Sequence, residues 1–169
     1  HHLTGISLTK TPGDDTASAA PITRRLSTYA YDGKGRAVMS VRGTPRQLDE
    51  AGKVVPGTGI GQVELDFSTP DATVLTNSLG QVTHYRYARI GGESRLLEVI
   101  GPGCASCSET NVRYGYDKRG RLIEVTQLDA TGRALAATVI ERDAMGRVVR
   151  ESIRAHAGRN PMPARLLVR

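Results

Sequence analysis

The chain has no tryptophan and a single phenylalanine, Phe67, and aromatic residues make up only 4% of its 169 positions. A compact globule usually draws more of its core from large apolar side chains. With hydrophobic residues at 38%, the sequence lacks the material for one thick core and suits thin, extended sheet. Long apolar runs are missing too. No stretch approaches the ~18–20 residues that cross a bilayer as a helix, so no membrane span is expected. No basic n-region followed by an apolar h-region marks a signal peptide. Helix-period stretches are hard to find, and most segments between turn residues are shorter than a stable helix requires. Lysine is scarce as well: of 23 cations only four are lysines, so the net charge of +6 is an arginine charge. The arginines are scattered among Asp and Glu over the whole length, with no block of five like charges. A nucleic-acid footprint should cluster, so the pattern argues for a solvated, charged face on each strand.

What the sequence does have is repetition. All six tyrosines fall into three Tyr-x-Tyr pairs, Tyr29/Tyr31, Tyr85/Tyr87 and Tyr114/Tyr116. Residues two apart on a strand share a face, so each pair lays two rings side by side on one surface of a sheet. Two pairs lead directly into one turn: Tyr31-Asp32-Gly33-Lys34-Gly35-Arg36 and Tyr116-Asp117-Lys118-Arg119-Gly120-Arg121 share the form Tyr-Asp-x-x-Gly-Arg. Asp at the first turn position can accept from a backbone N–H two residues on. Gly then supplies the positive φ of a G1-bulge hairpin. Weaker copies follow at Asp49-Glu50-Ala51-Gly52-Lys53, Asp129-Ala130-Thr131-Gly132-Arg133 and Asp143-Ala144-Met145-Gly146-Arg147. Asn77-Ser78-Leu79-Gly80 replaces Asp by Asn. Six reversals of one chemistry are therefore predicted, at Gly35, Gly52, Gly80, Gly120, Gly132 and Gly146.

Between the turns the residues read as strands. Val63, Leu65 and Phe67 alternate with polar residues, Ile123, Val125 and Gln127 alternate with Leu122, Glu124 and Thr126, and Val139-Ile140 precedes Gly146. Val82 and the pair Tyr85/Tyr87 alternate less regularly, after a break in phase. Period-2 alternation predicts sheet with one buried and one wetter face. The fold class expected is all-β, with repeated antiparallel β-hairpins forming a long curled sheet.

These residues resemble the RHS/YD-repeat family. The resemblance rests on Tyr29-x-Tyr31-Asp32-x-x-Gly35-Arg36, on Tyr114-x-Tyr116-Asp117-x-x-Gly120-Arg121, and on Gly80-Gln81-x-x-x-Tyr85-x-Tyr87 in the same phase. The phrase Leu96-Leu97-Glu98-Val99-Ile100-Gly101-Pro102-Gly103 is similar to the link between such repeats. His1-His2-Leu3-Thr4-Gly5-Ile6 is also similar to a run between them, which favours native histidines over a tag. It covers most of residues 26–153 of a segment spanning 1–169. The stretches at about 9–24 and 154–164 fit no repeat and are expected to be loops. Ala88-Arg89-Ile90-Gly91-Gly92 departs from the pattern by lacking the Asp.

The resemblance implies a β-sheet wound into a hollow shell, as in bacterial polymorphic toxins, insecticidal toxin complexes, wall-associated proteins and teneurin-like adhesion proteins. It implies a secreted or bacterial-surface location, and a wall enclosing a toxin or other polypeptide. No effector domain and no aspartate- and proline-rich self-cleavage junction is found, so the chain reads as wall and not cargo, and as an internal piece of a longer protein. The partners implied are the rest of that polypeptide or the enclosed effector. Sheet edges invite self-association, up to filaments. The alternative is a surface binding module for glycans or a partner protein.

No catalytic, cofactor-binding or metal-binding residue is expected. Asp32, Asp117, Asp129 and Asp143 occupy one turn position, and general acid–base pairs need unlike environments, not copies of one. Cys104-Ala105-Ser106-Cys107 has the C-x-x-C spacing and leaves three readings. A redox pair needs a helix N-terminus or βαβ setting, which is missing after Gly101-Pro102-Gly103. A zinc site needs about four ligands, and His84 and His156 stand alone, so a neighbouring segment would have to complete it. A local disulfide or thiol pair pinning the loop is the simplest. Tyr pairs can act as stacking platforms, but more often bury the ring and wet the hydroxyl. Gly57-x-Gly59-x-Gly61 has the wrong spacing for a phosphate loop and no helix after it.

Overall fold

A computed structural model describes residues 1–10, 22–102 and 110–155, and the backbone of 166–167. The described residues are all-β, without helix, and form two compact units, His1–Asp66 with Thr76–Gln81, and Phe67–Leu75 with Val82–Arg169. The first unit holds β1 (Gly5–Lys10), β2 (Ile22–Tyr31), β3 (Ala37–Arg42) and β4 (Ile60–Asp66). The second holds β5 (Ala72–Thr76, all but its last residue), β6 (Val82–Ile90), β7 (Glu93–Ile100) and β8 (Val112–Tyr116). It continues through β9 (Leu122–Leu128), β10 (Ala134–Arg142), β11 (Val148–Ala155) and β12 (Leu166–Leu167). Within each unit, strands consecutive in the chain lie side by side, and the pairings are antiparallel. This is the repeated-hairpin architecture that the turn spacing predicts. Among the described residues no helix is long and apolar enough to cross a membrane.

Three expectations need correction. The first concerns only the ends of the loops expected at about 9–24 and 154–164: β1 runs through Lys10, β2 already starts at Ile22 and β11 continues to Ala155, while 11–21 and 156–164 lie outside the described residues. Thr9 faces Thr23 across the β1–β2 ladder, and their hydroxyls lie 3.0 Å apart. Branched threonines suit a pleated surface better than their polarity suggests. The second concerns only a boundary: β4 ends at Asp66, just before Phe67, although Val63, Leu65 and Phe67 keep the expected alternation of half-buried with exposed residues. The third is the division into one buried and one wet face. Val99 and Val112 pair directly and are buried, while Glu98, Thr126 and Ala137 are buried on the opposite face. Both faces of the sheet are therefore covered in part.

The core is thin, as the composition requires. Val41 is the fully buried large residue of the first unit, and Val99, Val112 and Thr83 are those of the second. Among the described residues no side chain larger than leucine is buried.

Candidate functional site

The six predicted reversals form, and they are one structure repeated. In each, the glycine donates its N–H to the carbonyl of the turn's first residue, as Gly35 does to Asp32 and Gly120 to Asp117, at 2.9–3.0 Å. The first residue in turn donates its N–H to the carbonyl of the fifth, closing the loop at Asp32/Arg36, Asp49/Lys53, Asn77/Gln81, Asp117/Arg121, Asp129/Arg133 and Asp143/Arg147. The six glycines have φ between 75° and 91°, the left-handed region that a side chain disfavours. A four-to-one hydrogen-bonded turn closed by a left-handed glycine is the G1-bulge hairpin expected from the sequence.

The turn carboxylates are consumed by this geometry. Asp117 Oδ1 accepts from the N–H of Arg119 and of Arg121, and Asp32 Oδ1 does the same with Lys34 and Arg36. The second oxygen takes the arginine. Arg36, Arg121 and Arg147 each donate Nε to Oδ2 of the aspartate four residues earlier, at 2.7 Å. Composition and spacing placed a base after the glycine without revealing that it folds back onto the aspartate. Asn77 and Gln81 build the neutral version: Asn77 Oδ1 accepts from Leu79 and Gln81 N–H, and its Nδ2 donates to Gln81 Oε1.

This hydrogen bonding holds four of the acids below the usual carboxylate value. For Asp32 and Asp117 the main-chain N–H of Arg36 and Arg121 is the largest cause. For Asp129 it is the Thr131 hydroxyl, and for Asp143 the Arg147 side chain. An acid held ionised by its own turn is a structural acceptor and a poor proton donor.

The residue before the turn aspartate has a second repeated task. Tyr31 donates its hydroxyl to the Leu3 carbonyl, and Tyr116 donates to the Leu96 carbonyl, both at 2.9 Å. Arg142, before Asp143, gives Nε and Nη2 to the Leu122 carbonyl. Tyrosine and arginine here do one thing, reaching across to main chain on or beside the preceding strand. Two tyrosine hydroxyls are thus bonded to protein, contrary to the expectation of wetted hydroxyls. All six tyrosine rings are half-buried. Tyr31 also stacks on His2 at 4.7 Å, and the Arg95 guanidinium lies over Tyr116.

A polar row crosses the second unit. Arg86, Glu98, Arg113, Thr126, Ala137 and Arg154 stand side by side from β6 to β11. Glu98, only 9% exposed, accepts from Arg86 at 3.2 Å and from Arg113 at 2.6 Å. The row stitches three strands together through one buried carboxylate. Nothing in the sequence pattern marks Glu98 apart from other strand glutamates.

Of the other candidates, His84 is exposed on β6, facing Ile100 on β7. Cys104, Cys107 and His156 lie outside the described residues. Among the described residues no three His, Cys, Asp or Glu side chains gather into a metal-binding group. No known protein family has a model that matches this chain, and no characterised protein is significantly similar to it.

Proposed function

We propose that the chain is a non-catalytic structural segment of an RHS/YD-type repeat protein, exported or displayed on a bacterial surface, whose sheet serves as wall around an enclosed polypeptide. One observation carries the reading: six turns of a single design, with Tyr31, Tyr116 and Arg142 performing one task beside three of them. A repeat whose recurring chemistry is spent on its own backbone is built for architecture. The Asp side chains that could be mistaken for acids or ligands are acceptors for main-chain N–H groups. The partners are then the rest of the same polypeptide, or the effector it holds. A glycan platform fits less well, because Tyr31 and Tyr116 commit their hydroxyls to carbonyls.

The test is negative-stain electron microscopy of the purified protein, with mass measured by light scattering. Curved or hollow bodies are the expected result. Uniform fibres, or solid particles without a lumen, overturn the wall reading, and fibres assign the sheet edges to filament assembly instead.

A further inference from the structure

β2 outruns β3. Their pairing begins only at Ser27 and Arg42, so residues 22–26 have β1 on one side and, among the described residues, no strand on the other. Past the end of β3 the chain turns aside at Gly43, whose N–H donates to the Leu26 carbonyl at 2.8 Å. A cleft of about 720 Å³ opens between this free strand edge and a wall that includes Gly43 and Ile60. That volume falls within the ~300–1,000 Å³ of ligand-binding clefts.

The cleft has three chemical properties. Its open strand edge spans four residues, Ile22 to Arg25, about 13 Å at ~3.3 Å per residue, and an open edge is a template for another extended backbone. Its apolar side chains are left uncovered: Ile22 is 72% exposed, Leu26 43% and Ile60 50%. Its charged lining residues are Arg24, Arg25 and Arg42, with no carboxylate and no aromatic ring beside them. Arg25 is already engaged, donating to the Thr28 and Ser7 hydroxyls and the Thr4 carbonyl. Arg24 and Arg42 are exposed and have no carboxylate partner among the described residues.

We propose that this cleft takes an extended acidic peptide, added as a strand to the free edge of β2, with carboxylates on Arg24 and Arg42 and aliphatic side chains against Ile22, Leu26 and Ile60. The inference stands on the cleft alone and holds whether or not the sheet is a wall. A peptide fits better than a nucleic acid. A strand edge presents alternating donors and acceptors, which a second backbone satisfies, whereas a single-stranded nucleic acid calls for aromatic stacking surfaces that the cleft lacks.

The experiment is fluorescence anisotropy on the full chain with a fluorescein-labelled eight-residue peptide, Glu-Thr-Val-Thr-Glu-Thr-Val-Thr, whose Glu and Val alternate along one face of the added strand. Saturable binding is expected. Arg24→Glu or Arg42→Glu weakens it by about tenfold or more, the size of one lost charge-assisted hydrogen bond, and methylating alternate peptide amides weakens it as much. Arg89→Glu, the same charge change at an exposed site on β6, leaves affinity within about twofold. Circular dichroism checks that each variant folds, and Arg24→Gln provides a milder substitution. No saturable binding overturns the proposal. So does equal weakening by Arg89→Glu, which reduces the effect to net charge, or undiminished binding of the methylated peptide, which excludes strand addition. Tighter, Arg24-dependent binding of a thymidine oligonucleotide reassigns the cleft to nucleic acid.

Discussion

At the scale of single residues, the turn aspartates tie folding to pH. Asp32, Asp117, Asp129 and Asp143 all titrate lower in the folded chain than their ordinary value of 3.8. A carboxyl depressed on folding contributes stability that is complete above the unfolded value and is lost as pH falls through the folded one. The melting temperature is therefore expected to hold steady from neutrality down to about pH 4.5 and to decline below about pH 4. Replacing all four by Asn retains the turn, as Asn77 shows, and flattens that decline. Thermal unfolding followed from pH 6 to 2.5 compares the two, and equal slopes would remove the turn acids from the account. A second prediction concerns the reaching tyrosine. Tyr116→Phe deletes the bond to the Leu96 carbonyl and costs about 1 kcal/mol in urea unfolding. Tyr29→Phe, whose hydroxyl makes no such bond among the described residues, is expected to be nearly neutral.

At the scale of elements, the β6–β7 hairpin separates backbone strain from collision. Its loop is Gly91-Gly92, between the paired residues Ile90 and Glu93. Both glycines have positive φ, 62° and 88°, as a type I′ turn demands. Either Gly→Ala change incurs the left-handed penalty of roughly 1–2 kcal/mol. A Cβ on Gly92 meets nothing within 4 Å, whereas one on Gly91 comes to 2.6 Å from the Arg119 carbonyl. Gly91→Ala should be clearly the more damaging in chemical denaturation, and equal losses would show that the Arg119 backbone yields. The Glu98 row makes an asymmetric prediction. Arg86 is 62% exposed in its side chain, so Arg86→Met alone costs under about 1 kcal/mol. Arg86→Met with Arg113→Met strands the buried Glu98 carboxylate and costs about 3 kcal/mol or more. An additive double variant would mean that Glu98 reaches water when its partners leave.

At the scale of the whole molecule, β1 is a strand with one neighbour among the described residues. It pairs there with β2 alone and leaves Ile6 and Leu8 about half exposed or more. Such an edge, with Lys10 as its single charge, is weakly defended against pairing with another chain. Concentration-dependent association is expected in analytical ultracentrifugation, and Leu8→Lys with Ile6→Lys should suppress it. A protein that stays monomeric over the accessible concentration range would show that β1 is blunted by other means.

How much of this was legible follows from the range of each interaction. The six reversals, the all-β class and the thin core were written in the sequence, because Asp-x-x-Gly acts within five residues and alternation within one strand. The Gly91-Gly92 turn was equally local, and its two-glycine signal was present in the stretch that departs from the repeat. Arg142 standing in for tyrosine could be found only after the turns were aligned in space, since two unlike side chains share a target one strand away. Glu98 acquires its role from Arg86 and Arg113, 12 and 15 residues distant, which registry alone brings together. The open edge of β2 is more remote still. Strand length is visible along the chain, but whether a neighbour covers the whole of it depends on where β3 ends and the chain turns aside. Local hydrogen bonding determined the turns; pairing between segments decided which carboxylate is buried and which edge is left free.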